Sequence, residues 1–247
     1  MMSKLSYLSR RGLREIRDAT LRRGATDRKT VREDVALWFL RGEGIEIGAL
    51  DFPLRLPRKA QVRYVDYLDE AGLRESHNET LRAGRPLVVP DVIDDGSRLS
   101  TFADDSLDFV VANHMLEHVE DPIATLEHQL RVLKPEGILY LSLPDAHESF
   151  DSPRPRTTVE HLLRDHSEGP AVSRREHYEE CAHFIEGHNG EILERRVEEM
   201  EAESLRPHFH VWEPKTFAGF LSALDLPFSL DLLRASVGEF IVILRKQ

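Results

Sequence analysis

The 247-residue sequence predicts an α/β fold: a mostly parallel, seven-stranded sheet with an antiparallel C-terminal hairpin edge, a helical N-terminal extension and a helical insertion after the fifth strand. Three observations predict it. Short apolar runs of strand length alternate with helix-period segments, which is the pattern of a parallel sheet covered on both faces. The last two apolar runs follow one another with no helix between them, which suits a hairpin. A charged, histidine-rich stretch over 146–211 interrupts the alternation after the fifth run. Hydrophobic residues make up 40 % of the chain, enough for a real core.

Each element has its own signal. Across 4–40, Leu5, Leu8, Leu13 and Ile16, then Val31, Val35, Leu37 and Phe39, recur at roughly helical spacing with arginines between them. Gly24-Ala25-Thr26-Asp27 breaks this extension into two helices. Strands are expected at 44–48, 61–66, 86–91, 107–112 and 137–142. Pro53 and Pro57 leave little room for a helix between the first two strands. A helix at 123–133 is opened by Asp121-Pro122 and closed by Lys134-Pro135. The tail reads as a helix at 215–224 and strands at 228–233 and 239–245.

Composition narrows the function classes. The formal charge is −11, from 33 basic and 44 acidic residues. This balance argues against a nucleic-acid partner, which calls for a basic excess. Cys181 is the single cysteine, so no internal disulfide exists, and a reducing compartment is expected. The N-terminus lacks the apolar run of a signal peptide and no stretch is long enough to span a bilayer. A soluble, cytoplasmic protein is expected. Nothing in the chain points to a particular oligomeric state.

The chemistry-bearing residues fall at strand ends. Strand one runs into Glu46-Ile47-Gly48-Ala49-Leu50, where Gly48 allows a tight turn and close approach of a ligand to the main chain. Asp66 ends strand two, where a carboxylate can accept both hydroxyls of a ribose. Asp91 ends strand three. Past strand four comes Asn113-His114-Met115-Leu116-Glu117-His118, followed by Arg131-Val132-Leu133-Lys134-Pro135 and Leu141-Ser142-Leu143-Pro144-Asp145.

At that spacing the chain resembles class I S-adenosylmethionine (SAM)-dependent methyltransferases, whose core is Rossmann-like. The resemblance covers 44–145 and, loosely, the tail. It implies that SAM is held by Glu46, Gly48, Ala49, Asp66, Tyr67, Asp91, Val92 and Asn113, with Glu46 near the methionine end, Tyr67 on the adenine and Asp91 near its amino group. The next two glycines of the family would fall at Leu50 and Phe52, which are departures from its pattern. SAM carries no phosphate, so a missing first helix counts against a dinucleotide more than against SAM.

His114 and His118 are the expected catalytic residues, acting as a histidine base on a hydroxyl or as metal ligands. In a helical turn His114, Glu117 and His118 share one face. This resembles the Glu-x-x-Glu-His pattern of metal-dependent O-methyltransferases, with His208 or His210 supplying the further histidine to a divalent metal. In an extended segment His208 and His210 point to the same side. Taken together, segments 44–50, 112–118, 157–163 and 208–212 also resemble a bacterial methyltransferase subfamily met near glycan-assembly enzymes, implying a glycan or small-molecule substrate.

Four regions are therefore expected: a helical extension over 1–40, a SAM-binding core over 41–145, a helical insertion capping the substrate over 146–211 and the C-terminal part of the core over 212–247. The insertion carries His147, His161, His166, His177, His183, His188, His208 and His210. Its Arg154, Arg156, Arg174, Arg175 and His177 are candidates to bind a phosphate or carboxylate on the acceptor. Three readings stay open: an O-methyltransferase for a glycan or small molecule, a metal-assisted RNA-type 2′-O-methyltransferase, and a non-catalytic binding module of the same fold.

Overall fold

The computed structural model describes residues 27–77, 81 and 85–247; the first expected helix and the break at 24–26 lie outside these. The first described helix, α1 (Arg28–Phe39), begins where Asp27 caps it by accepting from Thr30 N at 3.0 Å. It buries Val31, Val35 and Ala36 against Phe109, Val111, Tyr140, Ile241 and Ile243 on one face of the sheet.

The sheet has seven strands in the order β3-β2-β1-β4-β5-β7-β6. They are β1 (Gly42–Ile47), β2 (Ala60–Asp66), β3 (Val92–Ile93), β4 (Leu107–Asn113), β5 (Leu133–Pro144), β6 (Phe228–Ser236) and β7 (Glu239–Lys246). The β1–β2, β1–β4, β2–β3 and β4–β5 pairs are parallel. β7 runs antiparallel to both β5 and β6, giving the hairpin edge.

The link from β1 to β2 contains no helix. Leu54 and Leu56 of that link pack instead beneath α1. A short α2 (Glu70–Ser76) follows β2, and α3 (Pro122–Val132) follows β4, capped by Asp121 through Ala124 N at 3.0 Å. With α7 (Pro214–Ala223), α3 covers the second face of the sheet, through Ile123, Leu126 and Leu130 and through Phe217, Phe220 and Leu221. Each such buried side chain contributes roughly 1.5–3 kcal/mol.

β3 departs from expectation. Residues 86–91 do not join the ladder; pairing is confined to Val65↔Val92 and Asp66↔Ile93. Pro86 and Pro90 have no N–H to donate, so the apolar run between them cannot pair along its length. This moves the strand's end past Asp91.

Between β5 and α7 the chain leaves the sheet to form α4 (Val159–Glu168), α5 (Arg174–Glu180) and α6 (Gly190–Glu203). This helical segment has its own small core of Tyr178, Ala182, Val197, Met200 and Phe209. Cys181 sits half-buried at the end of α5 as a free thiol.

Candidate functional site

A cavity of about 990 Å³ opens at the carboxyl ends of β1, β2 and β4, under the helical segment. Its floor comes from Gly48, Asp66, Asn113 and His114, and its roof from residues such as Arg174, Tyr178 and Phe209. This is the crevice position expected of an open α/β sheet.

Gly48 turns the chain with φ +64, and a side chain built on it would meet nothing within 4 Å. Its N–H donates to the Val65 carbonyl at 2.9 Å. Leu50, at the first departure from the glycine pattern, has φ +47. The backbone thus keeps the left-handed conformation that glycine favours, with a leucine bearing the strain. Phe52 lies below the Arg85 guanidinium, 4.9 Å from the ring centroid.

Asp66 is buried at the end of β2, accepts from Tyr67 N at 2.8 Å and lines the cavity with Tyr67. Burial raises its carboxyl above the usual carboxylate range. The Arg206 guanidinium lies over the Tyr67 ring, 5.5 Å from its centroid.

Glu46, Ala49, Asp91 and Val92 do not line the cavity. Glu46 belongs to the opposite sheet face from Ile45 and Ile47, as strand alternation requires. Its carboxylate accepts from Leu54 N at 3.0 Å and from Asn113 Nδ2 at 3.2 Å. Burial lifts its pKa to about 7 against these donors. Glu46 therefore sets the loop and Asn113, and does not face the ligand space. Asn113 is further fixed by Ser142 Oγ, which donates to its Oδ1 at 2.9 Å.

Asp91 is spent on the sheet edge, accepting from Tyr64 N at 2.7 Å. The acidic residue that reaches the cavity is Asp95, in the Asp95-Gly96-Ser97 turn beyond β3, where it accepts from Ser97 N at 2.9 Å. The Asp95-Gly96 pair, one residue beyond the apolar Val92-Ile93, is the available signal for it.

His114 is not in a helical turn: its φ is +50, and only Leu116–His118 forms a 3₁₀ turn. Its Nε2 is 2.7 Å from Glu239 Oε2 and its Nδ1 3.5 Å from Glu117 Oε1. Burial lowers its pKa. Arg32 holds Glu239 from the other side through Nε at 2.8 Å and Nη2 at 2.5 Å. Burial pushes the Glu239 carboxyl up, but hydrogen bonds from His114 and Arg32 outweigh it and hold it low. Arg32 and Glu239 had no local sequence signal, since 207 positions separate them.

His118 lines the cavity with its Nδ1 2.9 Å from the Arg206 carbonyl and 3.1 Å from that of Pro207. Two acceptors there assign the proton to Nδ1 and leave Nε2 as a bare lone pair. Burial, then His208, lowers its pKa to about 4.

The expected metal set divides. Glu117, His118 and His208 bring ligand atoms within 4.8 Å of one another, while His114 turns to Glu239 and His210 joins His161 and His177. His208 and His210 therefore serve different clusters, because the insertion's helices surround the segment that carries them. Glu117 is buried, neither carboxylate oxygen meets a hydrogen-bond partner among the described residues, and its pKa is pushed to about 8 by burial. His208 Nδ1 lies 2.6 Å from Asp151 Oδ2.

The insertion's arginines are already paired. Arg154 is buried on Asp151 and Glu180, Arg156 donates to main-chain carbonyls, and Arg175 meets Glu179, Glu194 and Glu201. His177 is buried away from the cavity walls. Arg174 alone of this group faces the cavity, paired with Glu120.

A family model described as "Methyltransferase domain" matches residues 33–226. No curated protein matches the chain. Among solved structures, a SAM-dependent methyltransferase from Aquifex aeolicus is 14% identical, with 85% of each chain covered and a TM-score of 0.43. A SAM-dependent methyltransferase from Methanosarcina mazei is 18% identical over 86% of this chain and 95% of its own, with a TM-score of 0.43. A protein from Rhodobacter sphaeroides titled a putative Zn-dependent alcohol dehydrogenase is 14% identical over 88% of this chain and 90% of its own, at TM-score 0.50. At such identity these likenesses concern the fold alone.

Proposed function

Because this chain belongs to the methyltransferase-domain family, matched over residues 33–226, we propose that it methylates a hydroxyl of a glycan precursor or small molecule with SAM as donor. The observation that carries this reading is a single cavity lined by Gly48, Asp66 and Asn113 together with His118, whose Nδ1 is engaged by main-chain carbonyls. The residues fit the cofactor. Gly48 leaves open space where a side chain would stand, and Asp66 offers a buried carboxylate at the strand end for ribose hydroxyls. The left-handed Leu50 supports a binding site over a degenerate module, because the loop keeps its shape.

When bound, SAM supplies an electrophilic methyl group on a sulfonium. The chain's own residues hold and align the partners. Asp66 would accept from the ribose hydroxyls, Asn113 is locked by Glu46 and Ser142, and the insertion roofs the cavity. His118 takes the acceptor's proton on Nε2, its Nδ1–H anchored on the Arg206 and Pro207 carbonyls. His114, held by Glu239, orients the acceptor beside it. A glycan hydroxyl suits the polar roof, and the net charge of −11 disfavours RNA. No helix among the described residues is long and apolar enough to cross a membrane, which fits a cytoplasmic setting.

One observation favours a metal-assisted variant of the same reaction. Glu117 is a buried carboxylate without a hydrogen-bond partner among the described residues, and it converges with His118 and His208. A divalent ion there would hold the acceptor hydroxyl and lower its pKa. Transfer of labelled methyl from SAM to a panel of sugar and phenolic hydroxyls tests the function. Turnover that survives chelator and falls in His118→Ala supports the histidine base; turnover restored only by added metal supports the variant. No transfer to any hydroxyl acceptor, with SAM bound, would sink the O-methylation reading.

A further inference from the structure

The helical insertion holds a second histidine cluster, none of whose members lines the cavity. His161 on α4, His177 on α5 and His210 in the segment before α7 place ring nitrogens within 4.8 Å of one another. Asp165 stands one turn after His161. Its Oδ2 is 2.9 Å from His161 Nε2 and 3.7 Å from His177 Nε2, and the two Nε2 atoms are 3.2 Å apart. Four bonds of about 2.0–2.1 Å meeting tetrahedrally set ligand atoms about 3.3 Å apart. The observed separations bracket that edge length.

The His161–His177 hydrogen bond, 3.2 Å between their Nε2 atoms, accounts for part of the cluster and leaves other buried polar atoms without a partner. Asp165 is 0% exposed and His210 1%. Asp165 meets His161 Nε2 and the Ser173 hydroxyl, whereas His210 Nδ1 has no hydrogen-bond partner among the described residues. His210 Nε2 lies 3.3 Å from the Glu120 carbonyl. That contact fixes the tautomer and leaves Nδ1 as a lone pair, as an outer carbonyl does for a metal-bound histidine. Buried polar atoms without partners are costly, and one cation at the centre satisfies them together.

We propose that His161, Asp165, His177 and His210 form a structural zinc site. Three imidazoles and one carboxylate are a nitrogen-rich set suited to Zn²⁺ and poorly suited to Mg²⁺ or Ca²⁺, which prefer oxygen. Four protein ligands fill a tetrahedral shell, so the ion has no open position for chemistry. It ties α4 and α5 to the segment whose Phe209 and His210 N–H groups donate to the Glu117 carbonyl at 2.8 and 3.3 Å. Zinc would therefore fix the roof of the cavity onto the strand-four loop. The site is independent of whether SAM or any acceptor binds.

The test uses the full chain, stripped with chelator, reloaded with Zn²⁺ alone and desalted before elemental analysis. We expect His177→Ala to hold one zinc fewer per chain than wild type, and His118→Ala to keep that ion. Co²⁺ in its place should give the intense visible bands of a tetrahedral centre in wild type and in His118→Ala. Where His177→Ala fails to fold, the near-isosteric Asp165→Asn supplies the reading: a changed Co²⁺ spectrum and at least tenfold weaker zinc retention. Equal zinc in wild type and folded His177→Ala overturns the proposal. So does a folded wild type that retains no zinc, or a Co²⁺ spectrum that Asp165→Asn leaves unchanged.

Discussion

The role proposed for His118 depends on two carbonyls. Arg206 and Pro207 sit 88 and 89 positions away and fix which nitrogen carries the proton. Its replacement by alanine should lower kcat by about 10²–10⁴-fold, the usual contribution of a positioned base, with SAM affinity unchanged by calorimetry. Glu46 makes a prediction of another kind. Its folded pKa is raised from 4.5 to about 7. A raised carboxyl contributes stability that is complete below the unfolded value and lost as pH rises through the folded one. Its ionisation therefore costs the native state roughly 3 kcal/mol between pH 4.5 and pH 8, from the size of the shift. Glu46→Gln should remove that slope from denaturant midpoints measured across this range, and an unaltered slope would contradict the burial argument.

Elements were legible in proportion to how much of their pattern was local. β4 and β5 read as continuous apolar runs because both faces of the sheet are covered, and α3 carried its own cap in Asp121-Pro122. β3 did not, because Pro86 and Pro90 each remove a backbone donor and Val88 N–H is spent on the Leu50 carbonyl, outside the ladder. The same slip leaves Asp91 on the sheet edge while Asp95 lines the cavity. At the turn that replaces it, a side chain on Gly96 would stand 2.3 Å from Ile47 Cγ2. Gly96→Ala should thus cost about 1–3 kcal/mol, seen as a lowered Tm, and should weaken SAM binding as the floor shifts. The histidines were legible as residues but not as clusters. His161, His177 and His210 come together only through the packing of α4 and α5 around an extended segment.

Across the whole molecule, one buried ion pair joins the two ends of the described chain. Arg32 on α1 grips Glu239 on β7, which in turn holds His114 at the cavity. The N-terminal helix thereby supports the site as well as the core. Arg32→Ala would strand Glu239, 0% exposed, without its guanidinium, and should cost about 3–5 kcal/mol. Unfolding measurements on that variant check it; a loss under 1 kcal/mol would mean that His114 and Arg28, whose Nε is 3.4 Å from Glu239 Oε2, can satisfy the carboxylate. The fold class follows from alternation and composition, whereas this link, like the cavity roof, depends on contacts that no local pattern records.

Calorimetric titration of the purified chain with SAM, beside an Asp66→Ala variant, tests the central claim most directly. The expected result is one site per chain in wild type, weakened about 10–100-fold in the variant by loss of charge-assisted hydrogen bonds to the ribose, with the variant's Tm close to that of wild type. Absence of binding by the folded wild-type protein, or equal affinity in both, would contradict the placement of the cofactor over Gly48 and Asp66.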